Sequence, residues 1–142
     1  MSVKSICILT QSHLCRNPRV LKEAITLAKN GYDVKILNSI YSKDLLRQDL
    51  LSIKNYNVEI IHIIDLTQKS LGVIIDRAFY KLGRSLIKYY NIESSLALGY
   101  GLSKYYKIAH RINADLYICH QELATYTGNK LIKDGFKEAF DI

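Results

Sequence analysis

Short apolar runs alternate along this chain with longer segments of helical periodicity, and that alternation limits the folds open to it. Such runs are typical of strands buried on both faces of a parallel sheet, because neither face then needs polar side chains. The predicted strands span residues 5–10, 34–37, 58–64 and 115–119, and a fifth begins at residue 136 and continues to 142. The intervening segments carry helix signals, such as the Asn17-Pro18 start and the Gly31 stop of the first one.

Alternating strands and helices predict an α/β fold with an open, doubly wound, mostly parallel sheet of the Rossmann-like, three-layer α/β/α class. The other helices are expected at 45–53, from Leu71 through Tyr90, at 98–112 and at 123–133. With 142 residues, of which 49% are apolar, the chain is long enough for one domain with a substantial core.

Compartment and cofactor content are predicted from what the sequence lacks. No segment has the pattern of a signal peptide, and no apolar run reaches the roughly 18 residues of a membrane span, so we expect a soluble, cytoplasmic protein. Cys7, Cys15 and Cys119 are an odd number of cysteines without metal-ligand spacing and are expected to stay reduced. We expect no bound metal and no other cofactor.

Positive charge is concentrated between Lys69 and Arg111. This segment carries eight Lys or Arg and two acidic residues, and so six of the seven excess positive charges. On the helix predicted from Leu71, apolar residues form one stripe and cations form another. The cations of that stripe are Arg77, Lys81, Arg84 and Lys88.

Six of the eleven tyrosines fall in the same segment as this stripe. Cations mixed with interfacial aromatic residues suit an anionic membrane surface, so the stripe is predicted to face the membrane and to hold the protein peripherally at its inner face. An ordinary solvated helix face is the alternative. Nucleic acid is not an expected partner, because no known nucleic-acid-reading module accompanies the charge.

Candidate binding residues lie in the loops that follow the first and fourth strands. Ligands of doubly wound sheets bind at the carboxyl ends of the strands, near the point where strand order reverses. The first loop also leads into a helix whose free N–H groups and positive dipole end favour an anion or a sugar hydroxyl. The candidate substrate-binding residues are Gln11, Ser12, His13, Arg16, Asn17, Arg19, Gln121 and Glu122, and the candidate catalytic residue is His120.

Each of these candidates has a structural alternative. His13 and Arg16 would otherwise belong to a solvated loop, and His120 would cap the following helix. Neither G-x-G-x-x-G after the first strand nor G-x-x-x-x-G-K-[ST] is present, so the main nucleotide-binding signatures are missing. Gly99-Tyr100-Gly101 is interpreted as a helix break or close-packing point rather than a phosphate loop.

Three further polar residues lie outside these two loops. His62 lies in a predicted strand and His110 on a predicted helix, so structural roles are expected for both. Asp141, at the end of the fifth strand, either binds a ligand or is solvated.

Two stretches resemble the N-terminal domain of GT-B glycosyltransferases of the family 4 type (group 1). Asn17-Pro18-Arg19-Val20, then Lys22-Glu23-Ala24 and Gly31-Tyr32-Asp33-Val34, is similar to the helix that follows the first strand of those enzymes. Residues 114–120 are similar to their "A-D-x-x-h-x-H" strand, and residues 133–141 to the next strand.

The resemblance implies that residues 1–142 form the acceptor-side domain of such an enzyme and stop before a C-terminal donor domain, leaving the chain inactive alone. In this family a sugar passes from a nucleotide-sugar donor to an acceptor hydroxyl, usually without a bound metal, through an oxocarbenium-like transition state. His120 would line the acceptor pocket with Gln121 and Glu122, and Arg16 or Arg19 would offset leaving-group charge.

The implied partners are a nucleotide-sugar donor, held mainly by the missing domain, and a sugar or lipid-linked acceptor in polysaccharide or glycolipid synthesis. One departure from the family is the Gln11–Cys15 loop, which replaces a glycine-rich stretch. The alternatives are a non-catalytic, membrane-associated subunit that pairs with a separate donor-binding domain, and a free-standing binding domain of the same architecture.

Overall fold

The structure is a computed structural model that describes residues 4–140. Within this range the chain forms one five-stranded sheet in the order β3-β2-β1-β4-β5, and every pair of neighbouring strands is parallel. The strands are β1 (Ser5–Leu9), β2 (Asp33–Ile40), β3 (Val58–Asp65), β4 (Leu116–Cys119) and β5 (Glu138–Phe140). Strand order reverses between β1 and β4, so the predicted doubly wound sheet is confirmed.

Helices connect the strands, and two short 3₁₀ helices accompany them. The first 3₁₀ helix (Leu14–Arg16) follows β1, and the second (Ser95–Leu98) lies between the third and fourth α-helices. The α-helices are α1 (Pro18–Lys29), α2 (Lys43–Ile53), α3 (Leu71–Tyr90), α4 (Leu102–Ile112) and α5 (Glu122–Lys133).

The sheet lies between two helical layers, which gives the predicted three-layer α/β/α arrangement. Successive strand residues point to opposite faces, so Ile6 and Ile8 pack with the α1 and α2 side while Cys7 and Leu9 pack with α4 and α5. Both faces are apolar along the central strands, which explains the nearly continuous apolar runs of the sequence.

The start and stop signals of α1 act as predicted. The Asn17 side-chain oxygen accepts a hydrogen bond from the Val20 N–H at 3.5 Å, and Pro18 occupies the first helical position. Gly31 follows the helix with φ +84°, a left-handed conformation that residues with a Cβ adopt at a cost.

The glycine pair at 99–101 divides the segment that was expected to be one helix. The second 3₁₀ helix ends at Leu98, Gly101 takes φ +72°, and α4 begins at Leu102. An ideal Cβ on Gly99 would overlap the end of the Gln11 side chain and a methyl group of Leu123, so both side chains pack closely against the chain here. The predicted helix break and close-packing point are both confirmed.

All five strands differ from their predicted bounds, β1, β3 and β4 by one residue each and β2 and β5 by more. β2 continues past Leu37 to Ile40, because the polar residues Asn38 and Ser39 that end the apolar run are themselves buried in the sheet. β5 begins at Glu138 rather than at residue 136, and the predicted Asp141 and Ile142 lie outside the described residues.

Helix α3 meets the rest of the molecule through a narrow face. Val73 and Gly83 are buried, Tyr80 stacks on Tyr100 with ring centroids 4.6 Å apart, and Asp76 pairs with Lys104. An ideal Cβ on Gly83 would lie 2.6 Å from the Ala97 nitrogen, so the helix backbone rests directly on the second 3₁₀ helix. The apolar stripe of α3 does not face the sheet.

The sequence also predicts that the chain has no membrane span and that its cysteines are reduced. Across residues 4–140, no helix combines the length and hydrophobicity required to cross a membrane. All three cysteines lie in the described part of the chain and are free thiols, as predicted. Burial raises the pKa of the Cys7 thiol to about 12, which keeps it protonated and unreactive.

Candidate functional site

The loops after β1 and β4 lie side by side at the carboxyl edge of the sheet. The His120 N–H donates to the Leu9 carbonyl at 3.0 Å, which continues the strand pairing into the loops. The Gln121 side-chain carbonyl accepts from the Gln11 N–H at 2.8 Å and from the Thr10 hydroxyl at 3.2 Å. The predicted meeting of these two loops at the strand-order reversal is confirmed.

A pocket of about 300 Å³ opens between these loops and the start of α2. Five of its lining residues were candidates from the sequence, and two others, Tyr41 and Leu45, come from the end of β2 and from α2. The lining residues are Gln11, Ser12, His13, Arg16, Tyr41, Leu45 and Gln121. Arg16 is exposed and supplies the positive charge of this wall, whereas Arg19 and His120 do not line the pocket.

His13 has a structural role in the floor of this pocket. It is 2% exposed, and its Nδ1 lies 2.6 Å from an Asp49 carboxylate oxygen. Its Nε2 accepts from the Tyr41 N–H at 3.0 Å, which requires the proton on Nδ1. Asp49 also accepts from the Cys15 N–H at 2.8 Å. Both ring nitrogens are therefore engaged, so His13 shapes the loop and we leave it out of the ligand-contacting set.

Gln121 combines a side-chain bridge with an unusual backbone conformation. Its φ of +76° and ψ of +165° fall in a region that residues other than glycine occupy at a cost of about 1–3 kcal/mol. The contacts from Thr10 and Gln11 hold it there. This conformation turns the chain sharply from β4 into α5 and presents the first N–H groups of α5 at the sheet edge.

His120, the predicted catalytic residue, is 4% exposed and faces α1. Its Nε2 lies 2.7 Å from the Glu23 carboxylate, which is 32% exposed and so reachable from solvent. A carboxylate on one ring nitrogen holds the imidazole in one orientation, an arrangement that acid–base sites also use. Cys119, the residue before it, is fully buried at the end of β4.

The other predicted site residues occupy the helix starts around the pocket. The Ser12 and Thr10 hydroxyls lie 3.2 Å apart, and Asn17 caps α1. Arg19 is exposed in the first turn of α1, and Glu122 is exposed in the first turn of α5, where a carboxylate complements the helix dipole. The structure thus places all of them at one edge of the sheet without joining them into a single cluster.

The electrostatics of the pocket favour an anionic or hydroxylated ligand. Burial raises the pKa of the Tyr41 phenol, and the nearby Tyr100 and Tyr80 raise it further, so Tyr41 keeps its proton and can donate a hydrogen bond. Arg16 contributes the cation. Residues 4–140 contain no cluster of three His, Cys, Asp or Glu side chains suited to a metal ion.

The two histidines expected to be structural behave differently from one another. His62 Nδ1 lies 2.7 Å from the Asn38 side-chain oxygen, inside the sheet layer. His110 is half exposed on α4, where its ring contacts Tyr106 and Phe136.

The cations predicted to face a membrane are all exposed on α3, with one difference among them. The Arg77 guanidinium donates to the Leu66 carbonyl at 3.0 Å and so anchors the helix start to the end of β3. Lys81, Arg84 and Lys88 extend along the rest of the helix.

The tyrosines of the basic segment do not form the interfacial set that the sequence suggested. Tyr105 is fully buried, and its hydroxyl donates to the Thr10 carbonyl at 2.9 Å, while Tyr80 and Tyr100 pack on each other. Tyr89 and Tyr90 are exposed at the end of α3.

Sequence reasoning missed three residues that build the site. Asp49 is spaced four residues from both Leu45 and Ile53 on an amphipathic helix, so its place on the buried face was available from helical periodicity. Glu23 and Tyr41 offered no comparable signal, because their roles depend on which strand and helix lie opposite them.

Neither a scan against models of known protein families nor a search of curated proteins found a match to this chain. Any proposal for its function therefore rests on the fold and on the residues at the sheet edge.

Proposed function

We propose that this domain is the acceptor side of a glycosyltransferase that moves a sugar from a nucleotide-sugar donor to an acceptor hydroxyl. The observation that carries the proposal is the junction of the β1 and β4 loops at the strand-order reversal, where a pocket of about 300 Å³ opens beside Arg16. The volume is at the lower end of the range for small-molecule sites and suits one or two sugar rings.

The polar groups of the pocket match the needs of a sugar ligand. Tyr41 offers a hydroxyl donor, Gln11 and Ser12 are half-buried hydrogen-bonding side chains, and Arg16 adds a cation for a phosphate or carboxylate. Beside the pocket, the His120–Glu23 pair would accept or hold a proton from the acceptor hydroxyl. The resemblance of residues 17–24 and 114–120 to family 4 glycosyltransferases supports the same role.

Ligand binding tests this proposal without the need for a donor domain. Amide NMR spectra would be followed during titration with a panel of sugars, sugar phosphates and nucleotide sugars. We expect shifts at Gln11, Tyr41 and Gln121 for at least one sugar-containing ligand, and about tenfold weaker binding for Arg16→Gln, because a charge-assisted hydrogen bond is lost.

Arg47→Gln is the matched control, since Arg47 is an exposed arginine on α2 outside the pocket. A folded protein whose pocket signals stay unchanged at saturating concentrations of every ligand would sink the proposal. Release of nucleoside diphosphate would be assayed with this chain and with any longer product of its reading frame.

We also propose that α3 holds the domain peripherally on an anionic membrane surface. Leu71, Ile74, Ile75, Phe79 and Leu82 are each half exposed or more, and helical periodicity places them on one side of α3 as an exposed apolar patch. At 3.6 residues per turn, Lys81, Arg84 and Lys88 fall between this apolar face and the face packed on the domain. Apolar residues flanked by cations are the pattern of helices that lie in the plane of an anionic bilayer.

Co-sedimentation with vesicles tests the membrane proposal. We expect the protein to pellet with phosphatidylcholine–phosphatidylglycerol vesicles, and the Ile75→Gln/Leu82→Gln variant to remain in the supernatant, because it loses the inserted apolar groups. Leu50→Gln/Leu51→Gln is the control, since these two leucines are similarly exposed on α2. Equal pelleting of both double variants would contradict the placement of α3 on the bilayer.

A further inference from the structure

A second pocket lies at the carboxyl end of α3, away from the pocket at the sheet edge. Its volume is about 560 Å³, and its walls are the last turns of α3 and the second 3₁₀ helix. The lining residues are Arg84, Ser85, Ile87, Lys88, Tyr89, Ser94, Ala97 and Leu98. Gly83 makes the pocket possible, because its missing side chain lets α3 rest on the backbone at Ala97.

Two cations line this pocket without carboxylate partners. Arg84 and Lys88 are four residues apart, so their side chains lie on the same side of α3, one turn from each other. Within residues 4–140 neither forms an ion pair, whereas Lys104 on the neighbouring helix pairs with Asp76. Like charges at this spacing repel each other mildly, and an anion between them removes that repulsion.

The other lining residues of this pocket suit an amphipathic ligand. Ser85 and Ser94 provide hydroxyls next to the cations, while Ile87, Ala97 and Leu98 form an apolar wall. A phosphate attached to a glycerol and the first methylenes of an acyl chain satisfies both parts, whereas a free phosphate leaves the apolar wall uncovered.

The position of the pocket beside the apolar face of α3 indicates that the phosphate belongs to a lipid. Tyr89 lines the pocket and lies seven residues, about two turns, beyond Leu82, so it belongs to the face that stands in solvent. The pocket therefore opens beside the apolar face, at the level where lipid headgroups would lie if α3 rests on a bilayer.

We infer that the pocket between Arg84, Lys88 and the second 3₁₀ helix binds the phosphate of one anionic glycerophospholipid. This inference rests on the proposed membrane placement of α3 and adds a stoichiometric headgroup site to it. Leu98 connects this pocket with the sheet edge, since its carbonyl accepts from the Gln11 side-chain nitrogen at 3.1 Å. Occupancy of the headgroup site is thus expected to be sensed at the loop after β1.

Soluble lipid isolates the pocket from the bilayer. Dihexanoyl-phosphatidylglycerol below its micelle concentration would be titrated into the protein at physiological salt, followed by amide NMR, with dihexanoyl-phosphatidylcholine and inorganic phosphate as comparison ligands. We expect saturable shifts at Ser94 and Ala97 with the anionic lipid, and a smaller shift at Gln11. Lys88→Gln should weaken this binding about tenfold, because a charge-assisted contact to phosphate is lost.

Lys81→Gln is the matched control, because Lys81 lies seven residues before Lys88 on the same stripe, carries the same charge and is outside the pocket. Long-range attraction is screened within about 8 Å at physiological salt, so this variant should change the affinity less than twofold. Equal weakening by both variants would overturn the inference in favour of diffuse charge attraction. Absence of shifts at Ser94 and Ala97, or equal affinity for inorganic phosphate, would overturn it as well.

Failure of the membrane proposal gives a different result. If wild-type protein does not pellet with anionic vesicles yet binds the short-chain lipid, the placement of α3 on a bilayer is wrong while the headgroup site stands. If the protein pellets but Ser94 and Ala97 do not respond to short-chain lipid, the surface binds membranes without this site.

Discussion

The carboxyl edge of the sheet and the surface of α3 place polar and apolar side chains in opposite ways. At the sheet edge, His13 and Asp49 are almost completely buried and satisfy each other and two backbone segments. On α3, Leu71 and Ile75 are apolar yet more than half exposed. The edge uses its polar residues to fix a loop, whereas α3 leaves its apolar residues available to another surface.

The comparison teaches that residue type alone does not reveal which side chains are buried in the scaffold and which remain exposed. A histidine in a loop looked like a binding residue, yet it is part of the scaffold. The sequence shows the apolar stripe of α3, but only the structure reveals that most of its side chains are exposed to solvent.

The largest effect on the free energy of unfolding is expected from Asp49→Ala. This change tests whether the buried His13–Asp49 pair stabilises the sheet edge. The change leaves the His13 Nδ1–H and the Cys15 N–H without their acceptor, and each orphaned donor costs about 1–3 kcal/mol. Urea unfolding should report a loss of about 3 kcal/mol or more. Asp44→Ala, at an exposed position of the same helix, should cost less than about 1 kcal/mol. Similar losses for both would break the contrast between scaffold and surface.

Gly83→Ala tests the narrow contact that holds α3 on the domain. The new Cβ would lie 2.6 Å from the Ala97 nitrogen and 2.8 Å from the Leu96 carbonyl carbon, so the helix must move. Overpacking of this kind costs about 1–3 kcal/mol, measurable as a lower urea midpoint. Gly72→Ala on the same helix meets only ordinary contacts and should be neutral or stabilise by up to about 1 kcal/mol. A neutral Gly83→Ala would mean that α3 is not packed this closely.

A smaller, pH-dependent effect is expected at His62, beside the buried network. Burial, the largest cause, and the nearby His13 lower its pKa, while Asp49 and Asp65 partly offset the shift. The unfolded chain then binds more protons than the folded one, so stability falls as pH drops below the unfolded value of about 6.5. His62→Gln should make that fall shallower and leave stability near pH 8 less affected.

The control for this pH dependence is His110→Gln, because His110 is half exposed. The fall in urea midpoint between pH 8 and pH 5 would be compared among the wild type, His110→Gln and His62→Gln. If His62→Gln left that fall as steep as in the wild type, or if His110→Gln reduced it equally, burial of His62 would not be the cause of the acid sensitivity.

The smallest effect on stability is expected from Ile75→Gln and Leu82→Gln. Both side chains are half exposed, so each change should alter the free energy of unfolding by no more than about 0.5 kcal/mol. Equilibrium unfolding checks this, and it also establishes that lost vesicle binding reflects the surface. A loss of several kcal/mol would show that the apolar face is packed against the domain after all and would remove the contrast with the sheet edge.

Much of the architecture was predictable because the signals are local. Apolar runs such as Ile6 to Leu9 predict buried parallel strands, and Asn17, Pro18 and Gly31 mark the ends of α1 through their own backbone preferences. The extension of β2 was not predictable in this way. Asn38 and Ser39 are polar, and only their neighbours across the sheet make them part of a buried strand.

The candidate site, like the fold, was predictable only in its local features. That the loops after β1 and β4 meet follows from the order of elements in a doubly wound sheet, and the sequence therefore placed Arg16 and Gln121 at one edge. The partner of each residue was beyond local reasoning. His120 meets Glu23 across 97 positions of chain, and His13 meets Asp49 across 36.

The sequence by itself determined the α/β class, the order of strands and helices and the edge at which the loops after β1 and β4 meet, since periodicity and capping are properties of neighbouring residues. Tertiary structure alone decided which polar groups are hydrogen-bonded within the protein and which face of α3 is exposed. The physical reason is that burial and hydrogen-bond satisfaction depend on residues far apart in the chain, and a helix with three distinct faces does not reveal from its own sequence which one packs.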